Sequence, residues 1–325
     1  MGLSIEMQLL LVLSLSLIPN FEAQLEVGFY SQRCSPAERI VKDAVRSAVS
    51  NDVGLAADLI HMYFHDCFVR GCDGSILIDS NSTNTAEKDF FANKISLRSF
   101  GVLDSAKSKL EDMCKGVVSC ADILAFAARD AAEMVGGIGW DVPAGRRDGR
   151  ISLASENLAN LPAPTFTVPQ LTQLFLSKGL TQEEMVTLSG AHTIGRSHCT
   201  SFSNRLFNFS STSSQDPSLD PRYATQLKSK CPKGNTNTNL VVPMDPLSPT
   251  VLDNAYYKNI LANRGLFTSD HALLSDPSTS SQVSEYAANV FLWRTKFGAA
   301  MVRMGQIGVL TGNAGEIRRN CRAVN

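Results

Sequence analysis

Two histidines four residues apart, His61 and His65, stand in the run His61-Met62-Tyr63-Phe64-His65-Asp66-Cys67-Phe68. On a helix this spacing puts both imidazoles on one face with Phe64 beside them. Such a pair can move protons, hold a metal or simply pack. A zinc hydrolase of the metalloprotease kind needs Glu directly after the first His to activate bound water. Met62 stands there instead, which argues against that chemistry. A packed pair of helix histidines stays open on spacing alone. The chain continues Asp66-Cys67-Phe68-Val69-Arg70-Gly71-Cys72-Asp73-Gly74-Ser75, so Asp66, Asp73 and Ser75 bring oxygens to a turn that Cys67 and Cys72 could staple. Hard oxygen donors on a rigid loop suit Ca²⁺, although the spacing and the missing terminal Glu are not those of an EF-hand. A purely structural loop is the alternative.

The elements that must hold these residues read mainly as helices. Ser35-Pro36-Ala37-Glu38 has a capping Ser, a first-turn Pro and a Glu three on. Behind it Ile40, Val41, Ala44, Val45, Ala48 and Val49 form an apolar stripe at helical spacing. A second helix is expected over Leu55–Phe68, and Ser119 can cap a third over Cys120–Val135. Thr167 can cap a helix closed by Gly179, and Thr181-x-x-Glu184 opens another that runs into Ser189-Gly190-Ala191-His192. Asp253 precedes a helix over Ala255–Arg264 ending at Gly265, and Ser281–Met304 reads as one long helix. Strand patterns are few and short, Ser75–Ile78 and Trp140–Pro143 being the best. Pro162, Pro164 and Pro169 punctuate a connection between two helical halves, and no internal repeat is present.

Composition limits the function classes. The 325 residues are 44% hydrophobic and 19% charged, with 30 basic against 31 acidic side chains. The apolar content excludes a disordered chain, and the near balance of charge argues against a nucleic-acid-binding surface. Residues 1–23 read as a signal peptide: Leu9–Ile18 is an apolar run too short to span a bilayer, Pro19 breaks it, and cleavage after Ala23 leaves Gln24 first. Eight cysteines, Cys34, Cys67, Cys72, Cys114, Cys120, Cys199, Cys231 and Cys321, contain no CxxC pair, so a disulfide framework is favoured over zinc. The sequons at Asn81 and Asn208 are compatible with export.

The segment FHDCFVRGCDGSILID, together with Leu188-Ser189-Gly190-Ala191-His192-Thr193-Ile194-Gly195, resembles the secreted plant haem peroxidases, the class III family. The resemblance extends over essentially all of residues 24–325 and includes all eight cysteines. It implies a mainly α fold with few short strands, in which helical distal and proximal halves of one domain, residues 24–325, sandwich one haem b. It also implies disulfides Cys34–Cys114, Cys67–Cys72, Cys120–Cys321 and Cys199–Cys231, which spacing alone could not choose.

On the same resemblance His192 is the axial haem ligand, with Asp270 accepting from its other nitrogen and making the imidazole a stronger donor. His65 is the distal acid and base that moves the peroxide proton, and Asn93 fixes its tautomer. Glu87 links Asn93 toward the calcium loop, and Phe64 shields the iron so that donors give electrons rather than receive oxygen. Two Ca²⁺ ions are implied. Asp66, Asp73 and Ser75 with the carbonyls of Val69 and Gly71 would hold one; Thr193, Asp245, Ser248 and Asp253 with the carbonyl of Val251 would hold the other. Pro162 matches the donor-contact position. The partners implied are H₂O₂ and small phenolic electron donors, with no nucleic acid, no membrane after signal removal, a monomeric state and an extracellular location in the cell wall or apoplast.

One position departs from the family. His61 stands where the family has its distal arginine, whose permanent charge stabilises the peroxide as its O–O bond breaks. An ordinary imidazole, with a pKa of about 6.5, is only partly charged near neutrality. The expectation is therefore either a tolerated change or a slowed, more pH-dependent peroxidase, in which a protonated His61 partly substitutes for arginine in acid. The alternative function is a calcium-stabilised, haem-binding secreted protein with weak catalysis and a binding or redox-sensing role.

Overall fold

A computed structural model describes residues 24–234, 237 and 239–325; the signal-peptide reading of residues 1–23 lies outside them. The first half is built on α1 (Ala37–Asn51), α2 (Gly54–Val69), α3 (Phe91–Ser96), α4 (Phe100–Met113) and α5 (Cys120–Met134). The second half holds α6 (Val168–Ser177), α7 (Gln182–Ser189), α8 (Pro221–Lys230), α9 (Ala255–Leu261), α10 (Thr268–Ala272), α11 (Pro277–Ala288) and α12 (Val290–Met304), with further short helical turns between. Extended structure is confined to two small antiparallel pairs. β1 (Glu26–Val27) joins β2 (Pro143–Ala144), and β3 (Arg196–His198) joins β4 (Val241–Pro243) with Ser197 opposite Val242. The fold is mainly α with four disulfides, as the sequence implies.

The stripe on α1 buries Ile40, Val41, Ala44, Val45 and Val49 against α4 and α5. Helix α5 is buried almost all round, its Ala-rich sequence letting α1 and α2 approach closely. One continuous apolar core runs from Tyr30 through Phe68, Phe126 and Val186 to Trp293 and Met304, so both halves share it. A smaller cluster around Phe202, Leu206, Tyr223 and Leu227 sits beneath β3 and β4. The halves are also cross-tied by Cys120–Cys321, 201 residues apart, and by a buried ion pair. Arg146 Nη1 lies 2.8 Å from Asp122 on α5, while its Nε and Nη2 donate to the carbonyl of Gly305 just past α12.

Several expected elements differ in detail. Ser35 does not cap α1, because Pro36 takes the cap position and no side chain accepts there. Ser75–Ile78 is not a strand but a 3-10 turn over Ser75–Leu77; Gly74, at φ 69, and the Ser75 N–H on Asp73 (2.9 Å) curl the chain. Of Trp140–Pro143 only Pro143 is extended. Helix α9 stops at Leu261, short of Arg264, since Asn263 adopts a left-handed φ of 58. The single helix expected over Ser281–Met304 is two, broken at Asn289, whose side chain caps α12 by accepting from Leu292 N at 3.0 Å.

Candidate active site

Helix α2 carries His61, Phe64 and His65. Its sequence is apolar nearly all round, and Leu59, Ile60, Met62, Tyr63 and Phe68 are buried on the faces that meet the core. His61 and Phe64 share the less buried remaining face with His65. The two imidazoles meet edge to face with ring centres 4.1 Å apart, and Phe64 lies 5.5 Å from His65. Burial, with a smaller contribution from His192, pushes His61 down to about 4. Burial and then His61 hold His65 well below the ordinary imidazole range, while Asn93 acts in the opposite direction. Both histidines are thus neutral near pH 7.

Asn93 is fully buried on α3. Its amide nitrogen donates to the Glu87 carbonyl (2.8 Å) and to Asn157 Oδ1 (2.9 Å). These bonds fix the amide so that its oxygen remains to accept. Asn93 Oδ1 and His65 Nδ1 are both buried without a partner inside normal hydrogen-bond geometry. Asn93 nonetheless lies close enough to raise the basicity of His65. The link from Glu87 to Asn93 runs through the Glu87 backbone; its carboxylate faces the Asp66–Ser75 loop instead.

In the second half α7 opens with the Thr181/Glu184 capping box and ends at Ser189. A 3-10 turn, Gly190–Thr193, then presents His192. Gly190 is required there, since a Cβ would fall 2.5 Å from both Trp293 Nε1 and the Tyr257 hydroxyl. His192 Nδ1 lies 2.8 Å from Asp270 Oδ1, on α10. Asp270 also accepts from the Tyr256 hydroxyl (3.1 Å) and from Phe267 N (2.8 Å). Burial alone would raise this carboxyl, but His192 and the two further donors hold it below the usual range. With a carboxylate opposite, Nδ1 carries the proton, and Nε2 is left as the lone-pair nitrogen. Phe267 and Tyr256 stand edge-on to the ring at 5.4 and 5.8 Å.

Two oxygen-rich sets flank the histidines. In the first, Asp66 accepts from Gly74 N (3.0 Å) and Ile76 N (3.3 Å), and the Cys67–Cys72 disulfide closes the loop. Gly71 takes φ 101, and a Cβ there would fall 2.6 Å from the Gly308 carbonyl. Burial, then Asp73, raises the Asp66 carboxyl well above its ordinary range; Asp73 is raised by burial, and Glu87 is pushed up to about 9. Ser75 Oγ and both Glu87 carboxylate oxygens are buried without partners. Buried carboxylates that repel one another beside orphaned oxygens are a donor set suited to a cation. Val69, at the end of α2, and Gly71 lie on the same loop.

In the second set Thr193 Oγ1 and Ser248 Oγ each lie 3.1 Å from Asp253 Oδ1, and both also reach Asp245 Oδ2, at 3.1 and 3.4 Å. Val251 is in the same loop, its N–H on the Ser248 carbonyl at 3.0 Å. Among the described residues no group of three or more His, Cys, Asp or Glu is placed to hold a metal ion. These sets mix carboxylates with hydroxyls and carbonyls, which is a hard-cation composition. Pro162 is half-buried in the loop whose Pro164 carbonyl accepts from Ser269 N (3.0 Å), next to Asp270.

The sequence did not point to Asn157, Tyr256 or Asn259. Asn157 fixes Asn93, Tyr256 donates to Asp270, and Asn259 donates to Asp245 at 2.7 Å. Each acts through tertiary contact, and none sits in a motif of its own. The four disulfides are Cys34–Cys114, Cys67–Cys72, Cys120–Cys321 and Cys199–Cys231, the pairing that the resemblance implies. Asn81 and Asn208 are both exposed.

A family model described as peroxidase matches residues 41–289. The chain is 67% identical to Peroxidase 5 of Vitis vinifera over 96% of its own length and 94% of that protein's. It is 51% identical to Peroxidase 3 of Arabidopsis thaliana, covering 95% and 94%. With Peroxidase 1 of Zea mays the identity is 50%, covering 96% and 86%.

Proposed function

The chain belongs to the peroxidase family and is a peroxidase, and from that membership we propose a secreted, extracellular haem b enzyme that reduces H₂O₂ and oxidises small phenols. The observation that carries the haem assignment is the 2.8 Å contact between His192 Nδ1 and Asp270 Oδ1. It leaves Nε2 free, so His192 would hold the haem iron through that nitrogen of an electron-rich imidazole. Haem, when bound, supplies the redox centre that takes two oxidising equivalents from peroxide and passes them to donors one electron at a time.

The protein's own residues handle the protons. Neutral His65 takes the proton from one peroxide oxygen and returns it to the other, which leaves as water. Asn93 Oδ1, held by the bonds of its own amide nitrogen, is the acceptor that keeps the His65 proton on Nδ1 and the lone pair toward peroxide. Phe64 packs beside His65 and narrows access, so donors exchange electrons at a distance. Pro162, beside the segment that carries Asp270, is the donor contact. One Ca²⁺ would be held by the loop from Asp66 to Ser75 and the other by Thr193, Asp245, Ser248, Val251 and Asp253. Asp66 follows His65 and Thr193 follows His192, so each ion would anchor one of the two histidines.

His61 sets the rate. Neutral and half-buried, it cannot supply the fixed positive charge that arginine provides. A second reading follows from that one observation: a haem protein with weak catalysis and a binding or redox-sensing role. Purified protein loaded with haem and Ca²⁺ decides between them. The peroxidase reading expects sustained, H₂O₂-dependent oxidation of a small phenol, whereas a Soret band without turnover favours the second. No membrane crossing is supplied by the described helices, none being long and apolar enough.

A further inference from the structure

Ring contacts run without a gap from the proximal histidine to the protein surface. His192 meets Tyr256 at 5.8 Å between centroids, Tyr256 meets Tyr257 at 5.0 Å, and Tyr257 meets Trp293 at 6.0 Å. Trp293 then meets Phe297 at 5.3 Å, and Phe297 meets Trp140 at 6.3 Å. Both tryptophans of the chain lie on this path. Tyr256, Tyr257, Trp293 and Phe297 are buried, and Trp140 is half-exposed. Aromatic packing by itself accounts for pairs of rings in a core. It does not account for a path that starts at His192 and opens into a surface cleft.

The cleft at the outer end has a volume of about 550 Å³ and is lined by Glu38, Arg39, Lys42, Arg129, Glu133 and Trp140 among others. Its charges are mutually satisfied at two points, Lys42 with Glu133 and Arg129 with Glu38. An aromatic donor can therefore reach Trp140 without displacing a lone buried charge. At the inner end the Tyr256 hydroxyl donates to Asp270 Oδ1 at 3.1 Å, the same carboxylate oxygen that receives His192 Nδ1. A phenol gives up an electron readily only as its proton leaves, and Tyr256 has a carboxylate in place to take it. Trp293 Nε1 donates to the Thr187 carbonyl at 3.1 Å, which suffices for an indole, since it loses an electron without first losing a proton. Tyr257, whose hydroxyl donates only to the Val186 and Thr187 carbonyls, has no base to take its proton; it and Phe297 are not themselves oxidised and serve as bridges on either side of Trp293.

The geometry points to Trp140 as a second donor-oxidation site, where a phenol too large to approach the haem edge gives up an electron at the protein surface. This rests on the haem peroxidase reading above. The docked phenol loses one electron and its hydroxyl proton, the proton going to water in the open cleft, and becomes a phenoxyl radical. Its electron fills the vacancy on oxidised Trp140, which has already given an electron inward through Trp293, Tyr257 and Tyr256. The haem centre, oxidised by H₂O₂, is reduced by that one electron. Two such transfers use both oxidising equivalents of one peroxide.

The test uses haem- and Ca²⁺-loaded protein with H₂O₂, a nitroso spin trap and no donor, followed by peptide mapping of the trapped adducts. Oxidation of a small free phenol and of the same phenol coupled to a large dextran is measured alongside. The wild type is expected to carry the adduct on Trp140. Trp293→Phe leaves Trp140 and the cleft in place, and is expected to lose that adduct while keeping the Soret band and small-phenol turnover. Trp140→Phe is expected to lose oxidation of the dextran-coupled phenol and to keep that of the free one. If Trp293→Phe does not fold, Tyr257→Leu removes the ring one step inward and is read the same way. An adduct on Trp140 undiminished in the interrupted variant, or dextran-phenol oxidation undiminished in Trp140→Phe, overturns the relay alone. A wild type without a Soret band or small-phenol turnover overturns the haem reading and the relay with it.

Discussion

Replacing His61 with arginine should speed the reaction with H₂O₂, and the size of the gain follows from the state of the residue it replaces. His61 sits 4.1 Å from His65 on the same face of α2, and burial with the nearby His192 pushes its pKa down to about 4. At pH 7 it is then charged in only about one molecule in a thousand. What it offers the peroxide is at most one neutral N–H, where a guanidinium offers a charged fork. Restoring one preorganised charged donor is worth roughly 2.7–4 kcal/mol, or about 10²–10³ in rate. The assay is stopped-flow absorbance of haem- and Ca²⁺-loaded protein mixed with excess H₂O₂, for wild type and His61→Arg. The pH dependence has a defined sign. A folded pKa near 4 keeps His61 neutral from pH 5 to 8, so it adds no slope over that window. Equal rates for both proteins would refute the reasoning. So would a wild-type rate that climbs as pH falls from 7 to 5 while that of His61→Leu stays level.

Asp270→Asn should weaken haem binding or activity by about 10–100-fold, because the carboxylate that orients His192 is lost; haem titration and turnover read this, and wild-type values would contradict the role. Chelation of Ca²⁺ should lower the melting temperature, each site contributing about 2.7 kcal/mol when free Ca²⁺ is a hundredfold above its Kd, as calorimetry with and without chelator would show. Asp122→Ala strands Arg146 in the core, and Tyr30 and Gly145 lose their shared acceptor. Denaturant unfolding should register a loss of about 3–5 kcal/mol. Removing Cys120–Cys321 by Ser substitution opens a closure of 201 residues and should cost about 5 kcal/mol on chain-entropy grounds, measured in the same way.

The helical character was largely legible before any coordinates. His61 and His65 do share one helical face, and the Ser119 and Thr181 caps do open the expected helices. Local signals of this kind live within a few residues and survive into the fold. The failures are equally physical. Ser75–Ile78 looked extended by composition, but Asp73 and Gly74 impose a turn. Asn289 broke a helix that apolar periodicity carried straight through, because an Asn can cap as easily as it can continue. The charge state of His61 depends on burial, which a sequence does not state. The ring path from His192 to Trp140 joins residues as far apart as Trp140 and Tyr256, and no spacing rule reaches that far.

The measurement closest to the central claim is a haemin titration of calcium-loaded wild type and His192→Ala, with circular dichroism to establish that both are folded. The account predicts that the wild type takes up one haem with an intense Soret band, while folded His192→Ala shows no comparable band and recovers one when exogenous imidazole is added. A normal Soret band and undiminished peroxide turnover in His192→Ala would contradict the assignment of His192 as the axial ligand and, with it, the account of the site.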